Sequence, residues 1–320
     1  MTGSCWYLSR TTKTLLIIPV LLLNVACTIP QCSDQAGPGS ANKIQFQVHN
    51  QLATLRLGNL ALVVDAAFGG RITEFSLDGK NALLSEGELS GSTFWTSPQK
   101  DWGWPPPAEI DSDPYEIQQQ GNELILISAI APDLEVQVEK KFASNAQGNG
   151  FDITYTLRNM SNRSIKLAPW EVTRVPGGYT FYPTLGNQVR NDLKTSTKDG
   201  ITWYFYQPDE LFDGNSHKVL EDATEGWIAN VNPETGLLFI KRYPDISSAH
   251  FAPNEAEIEL YASPRGDYIE IEQQGAYTTI PSMSSVDWTV TWYLQHIGTK
   301  NTISIGNTEM VQRARATQGL

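Results

Sequence analysis

From residue 43 onward the chain alternates apolar and polar side chains along many short segments. In one of them Leu134, Val136 and Val138 share one face of an extended chain, and three polar side chains share the other face. A period of two is typical of β-strands with one buried face. Similar segments recur at residues 151–157, 258–261, 268–272 and 288–294, and residues 124–127 form a short apolar run after a Gly-Asn pair. With one short helix expected at 309–316, the pattern predicts an all-β, antiparallel sandwich that forms a single domain over 43–320.

Composition and charge exclude several classes of protein. Hydrophobic residues make up 40% of the chain and charged residues 18%, which suits a folded protein rather than a disordered one. The net charge of −12 and the lack of any basic run argue against a nucleic-acid partner. The chain has no P-loop and no dinucleotide fingerprint, so no nucleotide cofactor is expected. Residues 43–320 hold no Cys and no paired His, so no metal site is predicted.

The N-terminus resembles an export signal. Arg10 and Lys13 precede an apolar run at 15–26 that is too short to span a bilayer, so residues 1–26 are interpreted as a signal peptide. The small residue before Cys27 resembles the lipobox of bacterial lipoproteins, which implies cleavage there and lipidation of the Cys27 thiol. Residues 27–42 are rich in Pro, Gly and Ser and predict a flexible tether. The alternative is an ordinary signal peptide that is cut nearby.

These features predict a protein of the bacterial cell envelope, exported and attached to a membrane through lipid on Cys27. Thr28 follows the cysteine where an Asp would indicate retention in the inner membrane, so the outer membrane is expected.

Aromatic side chains gather in one Pro-rich segment, at 94–107. It contains Trp95, Trp102 and Trp104 together with Gln99, and we interpret it as a loop because its prolines suit no strand interior. Indole faces pack against the C–H faces of sugar rings, and the indole N–H and the amide of Gln99 can bind hydroxyls. The alternative is a loop that plugs one end of the sandwich core.

Two carboxylates are candidates for acid–base chemistry. Glu171 lies beside Trp170 in an apolar strand and close to Arg174, which would point to the opposite face because it is three residues away. Glu272 shares one face of a second strand with Glu270. A carboxylate in an apolar environment is either paired with a cation or has a raised pKa. The alternative for each is a solvated position on an exposed strand.

Three further residues are weaker candidates. His217 and His250 are expected in loops, and Arg71 follows a Gly-Gly turn from which it could reach a polar site.

Several segments taken in order resemble the galactose mutarotase-like superfamily and, within it, a bacterial domain family without an assigned function. The segments are 63–75, 78–84, 159–171 and 271–274. The resemblance implies a β-supersandwich with a sugar-binding concave face. It also places Glu272 at the catalytic Glu of aldose epimerases. Trp170 and Glu171 stand where those enzymes have Asn-His, so an acid would have to be Glu171 or a His such as His217.

The function predicted from the sequence is that of an envelope lipoprotein that binds carbohydrate. Its predicted ligand-binding residues are Arg71, Trp95, Gln99, Trp102, Trp104, Trp170, Arg174 and His250. One alternative is a carbohydrate-active enzyme, an epimerase, lyase or hydrolase, that uses Glu272 with Glu171 or a loop His. Another is a structural or assembly protein whose cleft is plugged. No cofactor is expected in any of the three.

Overall fold

The alternating segments form β-strands in a computed structural model, which describes residues 44–186, 188–208, 217–298 and 303–317. The predicted signal peptide, Cys27 and the tether lie outside these described residues. All described residues belong to one unit of the chain, 38–320. No helix within the described ranges is both long enough and apolar enough to cross a membrane.

The first eleven strands are β1 (Gln45–His49), β2 (Leu52–Leu57), β3 (Leu60–Asp65), β4 (Arg71–Leu77), β5 (Lys80–Asn81), β6 (Ser92–Ser97), β7 (Glu116–Gln120), β8 (Glu123–Ala131), β9 (Val136–Ser144), β10 (Phe151–Asn159) and β11 (Ile165–Val175). The others are β12 (Tyr179–Pro183), β13 (Arg190–Asn191), β14 (Thr195–Lys198), β15 (Ile201–Phe205), β16 (His217–Glu221), β17 (Trp227–Asn232), β18 (Leu237–Arg242), β19 (Ile258–Ala262), β20 (Ile269–Gln274), β21 (Thr278–Ile280) and β22 (Ser285–His296). The α-helices are α1 (Ala108–Asp111) and α2 (Thr308–Ala316), with 3-10 turns at Gln99–Asp101 and Ser248–His250.

These strands form two antiparallel sheets. The larger, of twelve strands, has the order β1-β2-β3-β4-β6-β11-β20-β19-β16-β13, with β5 paired to β4 and β21 paired to β11. The smaller, of ten strands, has the order β14-β15-β12-β17-β18-β22-β10-β9-β8-β7. The predicted all-β antiparallel sandwich is therefore confirmed, and so is the helix at the C-terminal end.

The core lies between the two sheets. Phe75 of the larger sheet packs against Phe151, Phe239 and Trp292 of the smaller one, with ring centroids 5.3 to 6.2 Å apart. All four side chains are at most 1% exposed. Full burial of one such side chain stabilises the fold by about 1.5–3 kcal/mol relative to exposure, so these contacts hold the sheets face to face.

Helix α2 covers part of the smaller sheet's other face. Asn307 caps its first turn by accepting a hydrogen bond from the backbone N–H of Met310 at 3.2 Å. Met310 and Ala314 then pack with Trp203 and Trp227 in a second apolar cluster.

Two sequence expectations were wrong about secondary structure. The aromatic segment is not a loop throughout, because Phe94 and Trp95 lie inside β6 and the loop begins only at Pro98. His217 is not in a loop either, because it is the first residue of β16. In both places pairing with a neighbouring strand outweighs the loop character of the surrounding sequence.

Candidate functional site

A cavity of about 350 Å³ opens on the face of the larger sheet that points away from the smaller sheet. Five strands supply eight of its twelve residues: β6, β11, β20, β19 and β16, which are neighbours in that order, and the connecting segments supply the other four. The residues that line it are Leu89, Trp95, Gln99, Trp104, Trp170, Arg174, Lys218, Glu259, Tyr261, Tyr268, Glu270 and Glu272.

Strand register explains why these side chains meet. Residues directly opposite each other in an antiparallel pair point to the same face of the sheet. Arg174 of β11 stands opposite Glu270 of β20, and Glu270 stands opposite Tyr261 of β19. Tyr261 in turn stands opposite Lys218 of β16. One row across four strands therefore carries a guanidinium, a carboxylate, a phenol and an ammonium group.

Indole rings form one wall of the cavity. Trp95 stands opposite Trp170 in the register of β6 and β11, and their ring centroids are 5.3 Å apart at 83°. Trp104 meets the edge of Trp95 at 5.9 Å and is 65% exposed. Asp111 fixes Trp95, whose Nε1 donates to its Oδ1 at 2.7 Å. The wall thus has two fixed rings and one ring that is open to solvent.

Trp102 lies behind this wall and does not line the cavity. Its Nε1 donates to the carbonyl of Thr96 at 2.7 Å, and its ring packs 6.4 Å from that of Trp170. Gln99 does line the cavity, and its backbone N–H donates to Oε1 of Glu255 at 3.2 Å.

Glu272 lies at the floor of the cavity on β20, and its hydrogen-bond partner lies on the neighbouring strand β11. Its Oε2 accepts a hydrogen bond from Nε1 of Trp170 at 2.7 Å. Burial raises the pKa of Glu272 well above its usual range, and the nearby carboxylates of Glu259 and Glu270 raise it further. Glu259 stands directly opposite Glu272 in the register of β19 and β20. Burial and the neighbouring carboxylates therefore favour the protonated form of the Glu272 carboxyl group.

Glu259 behaves differently because a lysine contacts it. Burial raises the pKa of Glu259 to about 6, and the ammonium group of Lys218, which forms an ion pair with it, limits that rise. Burial would lower the pKa of Lys218, but Glu259 and Glu272 outweigh that effect and the net change is upward. The floor therefore holds two carboxyl groups in different surroundings: Glu272, whose pKa is raised by burial, and Glu259, which is paired with Lys218.

Arg174 lines the cavity and carries one buried N–H group without a partner in the described part of the chain. Its Nε donates to Oε1 of Glu270 at 2.7 Å, and the side chain is 1% exposed. Its Nη1 is buried and has no hydrogen-bond partner among the described residues. A buried guanidinium N–H without a partner costs free energy, so the ion pair with Glu270 holds this side chain at a local cost.

Glu171 lies on the opposite face of the sheet, in the core. It is fully buried, and its Oε1 forms an ion pair with Nζ of Lys241 at 2.8 Å. Tyr155 and Gln273 each donate to its carboxylate at 2.6 Å. The expectation that Glu171 acts beside Glu272 is therefore corrected. Adjacent positions of a strand point to opposite faces, so Trp170 faces the cavity and Glu171 faces the core.

The other predicted residues also lie away from this cavity. His217 lines a different depression, with its Nδ1 3.4 Å from the carbonyl oxygen of Asp192. His250 is exposed, with its Nδ1 3.1 Å from Oγ of Ser247. Arg71 is 3% exposed and donates to the carbonyl oxygen of Glu88 at 2.6 Å. The structure therefore brings Glu272, Trp95, Gln99, Trp104, Trp170 and Arg174 together and leaves Glu171, His217, His250, Arg71 and Trp102 outside.

The sequence analysis did not identify half of the residues that line the cavity. The missed residues are Leu89, Lys218, Glu259, Tyr261, Tyr268 and Glu270. The alternation at 258–261 indicated a strand, but nothing in it indicated that this strand pairs with the one that carries Glu272.

Three carboxylates outside the cavity lie close together. Asp222, Asp245 and Glu257 each offer an oxygen within 4.8 Å of the others, a spacing that a hard divalent cation can bridge. Glu257 is buried and accepts hydrogen bonds from the backbone N–H groups of Ala223 at 3.0 Å and Ile246 at 2.9 Å. Burial raises the pKa of Glu257 to about 9.

Comparison with solved structures identifies the fold. A galactose mutarotase-like protein from Lactobacillus casei has a TM-score of 0.53 and 11% identity, covering 79% of this chain and all of its own. A galactose mutarotase related enzyme from Lactobacillus acidophilus has a TM-score of 0.52 and 7% identity, covering 81% of this chain and all of its own. A galactose mutarotase-like protein from Clostridium acetobutylicum has a TM-score of 0.51 and 9% identity, covering 79% of this chain and 98% of its own.

The fold is therefore that of the galactose mutarotase-like proteins, as the sequence resemblance implies. No family model matches the chain, and no curated protein matches it in sequence.

Proposed function

We propose that this protein binds carbohydrate in the cavity on the outer face of the larger sheet. The observation that carries the proposal is the indole wall of Trp95, Trp104 and Trp170 facing the charged row of Arg174 and Glu270. Sugar rings combine apolar C–H faces with a rim of hydroxyls. Indole rings pack against the C–H faces, and fixed hydrogen-bond donors and acceptors recognise the hydroxyls.

The charges of the cavity favour a neutral polyhydroxylated ligand. Arg174 and Lys218 are balanced by Glu259 and Glu270, and burial raises the pKa of Glu272, which favours its neutral form. Hydroxyls can donate to the carboxylates of Glu259 and Glu270 and accept from the ammonium group of Lys218, which all line the cavity. Solved proteins of this fold that are called galactose mutarotase-like support a sugar ligand.

The test is ligand-observed NMR on the full chain with a panel of neutral mono- and oligosaccharides. Trp104→Ala removes the exposed ring, and we expect it to weaken sugar binding two- to tenfold, since an aromatic contact is worth about 0.5–1.5 kcal/mol. Phe205→Ala is the matched control, because Phe205 is an exposed aromatic outside the cavity. A lack of binding to any sugar, or equal binding by both variants, would contradict the proposal.

The second part of the proposal is location: an exported protein that is held at the bacterial envelope by lipid on Cys27. The apolar run and the lipobox-like residues before Cys27 support it. Metabolic labelling with a fatty acid should mark the wild type and the Cys32→Ser variant but not Cys27→Ser. Label that persists in Cys27→Ser would refute the anchor.

A second candidate function is acid–base catalysis on the bound sugar. It is favoured by Glu259 and Glu272, which stand opposite each other on β19 and β20 and whose surroundings differ, because Lys218 forms an ion pair with Glu259 while burial raises the pKa of Glu272. Glu259 would take the proton of the anomeric hydroxyl while Glu272 gives its proton to the ring oxygen, so that the ring C–O bond breaks and an open-chain aldehyde forms. Reclosure on either face returns both protons and interconverts the anomers.

Exchange NMR between α and β anomers tests this reaction. Glu259→Gln and Glu272→Gln should each abolish exchange while sugar still binds. Binding without exchange in the wild type would leave recognition alone as the function.

A further inference from the structure

A second cavity of about 530 Å³ adjoins the proposed sugar site. Leu89 and Tyr268 line both cavities, so they form the boundary between them. The second cavity is lined by Leu84, Glu86, Gly87, Glu88, Leu89, Arg265, Asp267 and Tyr268.

Backbone hydrogen bonds fix the segment that forms one wall of this cavity. The N–H of Leu84 donates to the carbonyl of Arg174 at 2.9 Å, and the N–H of Gly91 donates to the carbonyl of Leu84 at 2.8 Å. The N–H of Arg174 donates to the carbonyl of Gly91 at 3.0 Å. The guanidinium group of Arg71 also donates to the carbonyl oxygen of Glu88, so Arg71 helps to hold this wall in position. The cavity is thus preformed, which lowers the entropy cost of binding.

The boundary between the two cavities is aromatic and apolar. Tyr268 is 5% exposed, and its ring centroid lies 6.3 Å from that of Tyr261, which lines the first cavity. Leu89 adds an aliphatic side chain to the same boundary. This surface suits the apolar face of a sugar ring next to a glycosidic linkage.

The second cavity has more carboxylates than positively charged groups. Glu86 and Glu88 are exposed on one wall, and Arg265 pairs with Asp267 at 3.1 Å on the other. Three carboxylates against one guanidinium disfavour a carboxylated or phosphorylated unit and favour hydroxyl donors.

We propose that the ligand is a neutral oligosaccharide of at least two sugar units that spans both cavities, with one ring against the indole wall and the next ring between Glu86 and Arg265. This inference rests on the proposed sugar-binding function. It adds a second subsite at the 84–91 segment and the turn between β19 and β20.

The test is calorimetric titration of the full chain with neutral glucose, galactose and mannose and their di- and trisaccharides, and with digalacturonate as an acidic counterpart. We expect a trisaccharide to bind at least tenfold more tightly than its monosaccharide, and digalacturonate to bind more weakly than the neutral disaccharide of the same sugar. Arg265→Ala and Glu86→Ala should each weaken trisaccharide binding three- to tenfold without changing monosaccharide binding.

Arg190→Ala is the matched control, because Arg190 forms an equivalent surface ion pair with Asp192, two residues on, outside both cavities. It should change neither affinity. Equal affinity for mono- and trisaccharides, or unchanged trisaccharide binding in Arg265→Ala and Glu86→Ala, would overturn the second subsite while the proposed function stands. No binding by any sugar would overturn both.

Discussion

At the scale of single residues, Trp170 and Glu171 show how one step along a strand separates ligand site from core. Trp170 donates to Glu272 at the floor of the cavity, while Glu171 pairs with Lys241 between the sheets. Lys241 is fully buried and also donates to Oγ1 of Thr173 at 2.7 Å. Burial lowers the pKa of Lys241, and Glu171 opposes that effect, so each charge depends on the other.

The Lys241→Met variant should destabilise the fold by about 3–5 kcal/mol, because it leaves the charge of Glu171 buried without an opposite charge. The double variant Lys241→Met with Glu171→Gln removes that charge and should recover much of the loss. The free energy of unfolding from urea titration measures both. A double variant no more stable than the single one would show that the charge of Glu171 is not the cause.

At the scale of elements, the segment between β5 and β6 depends on one close backbone approach. Gly91 has a φ of +74°, and a Cβ there would lie 2.1 Å from the carbonyl oxygen of Ile72. Gly87 in the same segment has a φ of +88°, and no atom of the described residues lies within 4 Å of such a Cβ. Both need glycine for their backbone conformation, but only Gly91 needs it for space.

Gly87→Ala should cost about 1 kcal/mol from the positive φ alone. Gly91→Ala should cost a further 1–3 kcal/mol or so, because its Cβ must push the backbone of β4 away. Thermal and urea unfolding of the pair measure the difference, and equal losses would contradict the close approach.

At the scale of the whole molecule, buried lysines join the two sheets. Lys140 of β9 in the smaller sheet donates to the carbonyl oxygens of Gly69 at 2.7 Å and Gly70 at 3.3 Å, in the turn before β4 of the larger sheet. Burial lowers the pKa of Lys140 to about 7, against which Asp111 acts. An unfolded lysine keeps a pKa of about 10.4.

Between pH 7 and 10 the unfolded chain therefore holds a proton that folded Lys140 has lost. This contribution to stability is complete above the unfolded pKa and disappears as the pH falls to about 7. The free energy of unfolding should rise with pH less steeply in Lys140→Met than in the wild type, by up to about 1.4 kcal/mol per pH unit. Lys141→Met, at the half-exposed neighbour, should keep the wild-type slope. Parallel curves for Lys140→Met and the wild type would contradict the shift.

The sequence by itself determined the class of fold and half of the site. Alternation with a period of two marks strands such as β9, β10 and β20 without knowledge of their neighbours, because it reflects only which side of each strand is buried. It also places Glu270 and Glu272 on one face. The aromatic cluster identified Trp95 and Trp104 because so many indoles need either a core or a ligand.

Only the tertiary structure decided which strands became neighbours and which face became the core. Glu259 and Lys218 come to Glu272 through pairings between strands that are far apart in the sequence, and local patterns carry no information on such pairings. The sequence does not show which face of its strand Glu171 occupies. In the folded chain Glu171 faces the smaller sheet, where it pairs with Lys241. Register between distant strands and the side on which the second sheet packs are properties of the whole chain, so they appear only when it folds.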